Sequence, residues 1–127
     1  MEKAGTLLIP SGPGHNPGQK HLHIVCTDPC DAGLQLIVSV TSWTNNLCDG
    51  SCILDVGDHD WLRHKSWVMY RKTKTENALT LDNGVRLGLF VPEAVMSGPV
   101  FERVCDGILE SAQTPRNMKR YFRLHRQ

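Results

Sequence analysis

The sequence predicts a mainly β, α+β domain: a small barrel or curled sheet of five to six strands with C-terminal helices packed on it. Three observations carry this. Short apolar runs, the strongest rich in β-branched residues, recur from Thr6 to Val91 between Gly, Pro, Asn and Asp clusters. Helical spacing of apolar residues begins only after Ser97. The length of 127 residues, with 40% hydrophobic and 21% charged, suits one folded domain and excludes a disordered chain. A single domain is expected over 1–127, with the barrel at about 5–91 and the helices at about 97–125.

Each element follows from local chemistry. Thr6-Leu7-Leu8-Ile9 is a first strand stopped by Pro10. Ser11 to Gly18 holds three glycines and two prolines and is expected to be a loop. Lys20 to Thr27 (KHLHIVCT) is a second strand, followed by turn chemistry from Asp28 to Gly33. Leu34 to Trp43 (LQLIVSVTSW) carries the densest β-branched pattern and is a third strand. Cys52-Ile53-Leu54 and Ser66 to Tyr70 are further short strands, with an irregular stretch between them. Ala78 to Leu81 and Val85 to Val91 flank Asn83-Gly84, which predicts a hairpin. Ser97, followed by Pro99, caps a helix whose Val100, Val104 and Ile108 lie on one face as far as about Ser111. Thr114 caps a second helix from Pro115, with Met118, Tyr121 and Phe122 on its apolar face.

Charge is unevenly distributed. Up to Asp60 there are two Lys/Arg against seven Asp/Glu, and from Trp61 onward twelve against six. One basic cluster is Arg63, Lys65, Arg71, Lys72 and Lys74; another is Arg116, Lys119, Arg120, Arg123 and Arg126. Basic residues beside Trp61, Trp67, Tyr70, Tyr121 and Phe122 suit a polyanion such as RNA, and equally suit an ordinary solvated face. No apolar run reaches the roughly 20 residues a membrane helix needs, so no membrane partner is expected. The first residues lack the apolar stretch of a secretory signal, and five cysteines are an odd number, so a cytoplasmic location is expected.

Six histidines are many for so short a chain. His21 and His23 lie two apart on one strand and so share a face, while His59 and His64 sit in the irregular stretch GDHDWLRHKS. Imidazole can take the ribose 2′-hydroxyl proton and return one to a leaving oxygen near neutral pH. Lys20, Arg63 and Lys65 could steady the phosphorane, and Trp61, Trp67 or Tyr70 could stack a base. Thr41-Ser42, at the end of the third strand, can orient a phosphate or simply cap a turn. Cys26 and Cys30 share the spacing of Cys48 and Cys52, which leaves a zinc-stapled module open, although cysteines in apolar strands are more often core residues.

The glycine-rich segment Gly12 to Gly18, the strand HLHIVCT, the strand ending Val40-Thr41-Ser42 and the late helices resemble, in that order, the PemK/MazF-like toxin family. The stretch SCILDVGDHDWLRHKSWVMY is similar to a segment of small proteins grouped with it. The resemblance implies an SH3-like barrel, cleavage of single-stranded RNA without metal or other cofactor, a homodimer, and an antitoxin protein that holds it inactive. It implies a catalytic role for Thr41, which matches the family's threonine at the end of the third strand. The family's Arg-Pro at the start of the second strand is replaced here by Lys20-His21-Leu22-His23, so a histidine would stand in for the arginine. The expectation is therefore a metal-independent endoribonuclease of the toxin-antitoxin type. Its acid and base would come from His21, His23, His59 and His64, with Thr41 positioning the scissile group. Lys20, Arg63, Lys65, Trp61, Trp67 and Tyr70 would bind RNA. The alternative is a non-catalytic module that uses the same basic and aromatic residues to bind nucleic acid or a protein.

Overall fold

The computed structural model describes residues 1–10 and 20–126; the loop expected at Ser11 to Gly18 lies outside them. The chain is an α+β protein. Among the described residues seven strands form: β1 (Thr6–Pro10), β2 (Lys20–Val25), β3 (Leu34–Ser42), β4 (Ile53–Leu54), β5 (Ser66–Val68), β6 (Lys74–Asn77) and β7 (Val91–Glu93). The same residues form three α-helices: α1 (Ala78–Arg86), α2 (Gly98–Glu110) and α3 (Arg116–His125). The described strand pairings are all antiparallel. The order runs β4-β5-β3-β2-β1-β7, with β6 also on β3. Among the described residues the path ends at β4 and β7, so the sheet is open where a closed barrel was expected.

The long strand β3 organises the sheet. One edge pairs with β2, in the register Leu22↔Val40 and Ile24↔Val38. Its other edge is shared: Val40–Ser42 face β5, and Leu34–Ile37 face β6. Between those partners the chain makes a 3-10 turn at Tyr70–Lys72, pinned by Met69 N–H donating to Ser39 O at 2.8 Å. The β2–β3 turn needs a positive φ, and Gly33 supplies it at 76°.

Strand alternation divides the side chains between two faces. Leu22, Ile24, Leu36, Val38, Val40 and Val68 point to one, where α2 (Val100, Phe101, Val104, Cys105, Ile108) and Phe122 of α3 cover them. Leu7, Val25 and Ile37 point to the other, where Leu81 of α1 packs on them. The second face is thus covered near α1, and farther along it His21, His23, Ser39 and Thr41 stand beside Ile9 and Trp67.

The hairpin expected across Asn83-Gly84 is instead helix α1. Asn77 Oδ1 accepts from Leu79 N–H at 2.9 Å and caps it, while Ala78, Leu81 and Val85 recur at helical spacing toward the second core cluster. Gly84 stands where the Phe90 ring crosses the helix: an added Cβ would lie 2.0 Å from that ring, so the glycine answers to packing rather than to a turn. Of the expected second arm only Val91 is in a strand, at the start of β7. Helix α2 begins after Ser97 with Pro99 in its first turn, although the Ser97 side chain makes no cap bond. Pro115, not Thr114, holds the cap position of α3, and Thr114 Oγ1 is buried without a hydrogen-bond partner. No described helix is long and apolar enough to cross a membrane.

Candidate functional site

Where β2 begins and β3 ends, just beyond the Leu22↔Val40 pair, a cleft of about 590 Å³ opens. Lys20 and His21 reach it from β2, Thr41 and Ser42 from β3, and Trp61, Arg63 and His64 from the irregular stretch before β5. Six expected site residues meet here: Lys20, His21, Thr41, Trp61, Arg63 and His64. They come from three separate stretches of the chain.

Ser42 Oγ lies 2.6 Å from His64 Nε2 and holds that ring against the strand end. Arg63 Nη1 donates to the carbonyl oxygens of Asp60 and, at 3.3 Å, of Leu62, so the guanidinium is anchored beside the cleft. Partial burial lowers the His21 pKa, and the nearby Lys72 ammonium lowers it further. Both effects favour the neutral imidazole of His21 at neutral pH. The cleft joins two imidazoles, two cations, an indole and three hydroxyls (Thr41, Ser42 and Ser66), with Val40 and Leu62 as its apolar lining.

His59 is not part of this cleft. It is buried: Nδ1 accepts from Trp61 N–H at 3.0 Å, and Nε2 lies 2.7 Å from Ala94 O and 3.1 Å from Thr6 Oγ1. Because Nδ1 accepts, the ring proton sits on Nε2 and points at the Ala94 carbonyl. The ring ties the irregular stretch to β1 and to the segment after β7, which is a structural task.

His23 shares the His21 face, as alternation requires, but lines a different groove. Its Nδ1 lies 2.9 Å from His21 O, and burial outweighs that bond, pushing its pKa down to about 4. Lys65 turns away from the cleft and places its ammonium 4.5 Å from the Trp43 ring centre. Trp67 is buried, with Nε1 donating to Ser42 O at 3.1 Å, so it supports the cleft from behind. Tyr70 is wholly buried and donates to Val104 O at 2.7 Å. Neither ring is placed to stack on a base, because each is covered by the core and committed to a carbonyl. Ser42, already a candidate beside Thr41, gains a partner the sequence does not announce: its contact with His64 joins residues 22 positions apart.

Cys26, Cys52 and Cys105 are buried together in the first core cluster, Cys30 is half-buried beside Tyr121, and Cys48 lies 3.5 Å from Thr44 Oγ1. Among the described residues no group of three or more His, Cys, Asp or Glu is arranged to hold a metal ion.

No protein-family model matches the chain, and no curated protein matches it.

Proposed function

We propose that the protein is a metal-independent endoribonuclease of the toxin type, acting on single-stranded RNA in the cytoplasm. The observation that carries the reading is the cleft, in which two imidazoles from distant segments sit among Lys20, Arg63, Thr41 and Ser42. Phosphodiester cleavage needs a base, an acid and charges that stabilise the phosphorane, and that set can supply them. His21, kept neutral by burial and Lys72, removes the 2′-hydroxyl proton. The 2′-oxygen then bonds to phosphorus, the bond from phosphorus to the 5′-oxygen breaks, and His64 returns a proton to that oxygen. The products are a 2′,3′-cyclic phosphate and a free 5′-hydroxyl. Lys20 and Arg63 steady the charge on the phosphorane, Thr41 positions the phosphate, and Trp61 offers a stacking surface for a base. The antiparallel sheet of short strands, with α2 and α3 at the end of the described chain, supports an SH3-like arrangement in opened form. A homodimer and an antitoxin partner belong to the same reading.

The test is incubation with a long single-stranded RNA and EDTA between pH 5 and 8. Discrete fragments ending in 2′,3′-cyclic phosphate, abolished by H21A/H64A, are expected. Intact RNA throughout would overturn the reading. One observation favours a second one, a non-catalytic nucleic-acid module: Arg116, Lys119, Arg120 and Arg123 line one depression on α3, away from the cleft. That reading expects RNA to bind without being cut, with affinity lost on changing those residues and retained in H21A/H64A.

A further inference from the structure

The second face of the sheet carries another concavity, of about 500 Å³, on the far side of His21 from the cleft. Its floor is the cross-strand pair His23↔Ser39. One wall is Ile9 and Pro10 of β1, and the opposite wall is Arg71, Lys72 and Lys74, from the 3-10 turn and the start of β6. The three cations are exposed at this rim. A single acidic group approaches them among the described ion pairs, Glu76 at 3.9 Å from Lys74 Nζ.

Ser39 makes the groove unusual. The residue is 6% exposed, and its hydroxyl is buried with no hydrogen-bond partner. An unpaired buried hydroxyl is destabilising unless something bonds to it. Ser39 lines the floor of a groove with three cations on its rim. His23, beside it, cannot serve as an extra cation at neutral pH, since its burial favours the neutral ring. The site thus offers a hydroxyl, an uncharged imidazole and a fan of ammonium and guanidinium groups, with an apolar wall opposite. That is the chemistry of a tetrahedral oxyanion carried on a partly apolar body.

We propose that this groove is a phosphate-binding subsite, in which Ser39 donates to a phosphate oxygen and Arg71, Lys72 and Lys74 neutralise it. Its occupant is a backbone phosphate of the strand that enters the cleft. Lys72 already acts on both places, since it lines the groove and depresses the pKa of His21 in the cleft. The identity of the strand rests on the proposed nuclease reading; the phosphate site rests on the groove alone.

Two measurements on the full chain test this separately. The first follows backbone amide and His23 ring resonances while inorganic phosphate replaces chloride at constant ionic strength. Saturable shifts at Ser39, His23 and residues 71–74 are expected, reduced at least tenfold in apparent affinity by S39A and by R71A/K72A. S39A should leave thermal stability unchanged or raised, because it removes an unpaired hydroxyl; a merely structural serine would do the reverse. An equal response to phosphate and chloride, or full phosphate affinity in both variants, overturns the subsite. The second measures binding of a 2′-O-methyl oligonucleotide, which cannot be cleaved by this route, against salt. R71A/K72A should flatten the log–log salt slope by about 1.4, or about 0.7 per lost contact. Phosphate binding without oligonucleotide binding would retain the site and remove the RNA reading. RNA cleavage with an unchanged slope in R71A/K72A would retain the nuclease and remove the subsite.

Discussion

Tyr70 fills the space that a side chain at position 107 would need: a Cβ added to Gly107 would stand 1.9 Å from the Tyr70 hydroxyl oxygen. The ring passes under α2 with no surface exposed, and its hydroxyl donates to Val104 O. Helix and sheet therefore approach closely because one residue is the smallest available and the other supplies both bulk and a donor. Gly107→Ala is expected to cost at least about 2 kcal/mol, since a fully buried ring cannot retreat without opening the core. Tyr70→Phe alone should cost about 1 kcal/mol for the lost bond. In the double variant, removal of the Tyr70 hydroxyl should recover part of the Gly107→Ala loss, and urea unfolding of all four proteins would show a cycle that fails to add. Simple additivity would mean that the two residues do not compete for space.

His59 links three segments through one ring. His59→Ala leaves the Trp61 N–H and one lone pair of Ala94 O without their partner, and should destabilise the fold by about 3 kcal/mol. At a temperature where the variant remains folded, RNA cleavage should persist. A His59→Ala protein of full stability with no activity would move His59 from the scaffold into the chemistry.

Ser42→Ala separates positioning from folding. Ser42 and His64 are both exposed, so losing their 2.6 Å contact should leave the unfolding midpoint within about 0.5 kcal/mol. The ring is then free to rotate, and cleavage should fall between about tenfold and a hundredfold. Ser42→Thr, which keeps the hydroxyl, should restore most of it. Unaltered cleavage in Ser42→Ala would show that His64 needs no such anchor.

His23 makes stability depend on pH in a definite direction. Its folded-state pKa of about 4 lies below the ordinary 6.5, so the unfolded chain binds the proton more readily. Its contribution is complete above pH 6.5 and declines as the pH falls from there toward 4, by up to about 1 kcal/mol per unit. Denaturant midpoints of wild type and His23→Gln, compared between pH 7 and 4.5, should converge as the solution is acidified. Parallel curves would locate the acid sensitivity elsewhere.

The thiols should divide by environment. Hydrogen bonding from the Tyr121 hydroxyl and from backbone amides holds the Cys30 thiol below its ordinary pKa, whereas burial pushes Cys26 and Cys52 up. Iodoacetamide at pH 7.5 should label Cys30 and Cys48 in the folded protein, and Cys26, Cys52 and Cys105 only after denaturation. Tyr121→Phe should slow labelling of Cys30. Native-state labelling of Cys105 would show that α2 opens far more readily than its packing implies.

The strands were legible where their pattern was self-sufficient. LQLIVSVTS alternates between two buried faces and is rich in β-branched residues, so β3 could be little else. Residues 78–86 misled because Asn83-Gly84 is favourable turn chemistry taken alone, while the contacts that keep it helical, Leu81 against Leu7 and Phe90 against Gly84, come from outside the segment. β6 (KTEN) carries no apolar signal and exists because β3 offers it an edge. The same limit governed the site. Lys20, His21 and Thr41 were readable because strand ends gather neighbours, but burial separates His59 from His64, and nothing local to GDHDWLRH encodes burial.

The shared edge of β3 leaves little room for gradual change. Ser39 and Thr41 point to the polar side because Val38 and Val40 point to the core, and both depend on one alternation. A residue gained or lost within β3 would exchange the two sets at once, burying hydroxyls and exposing valines. Drift in what this surface recognises is thus confined to the segments that border it, residues 60–65 and 70–74, which can vary in length and charge while the strand beneath them stays in step.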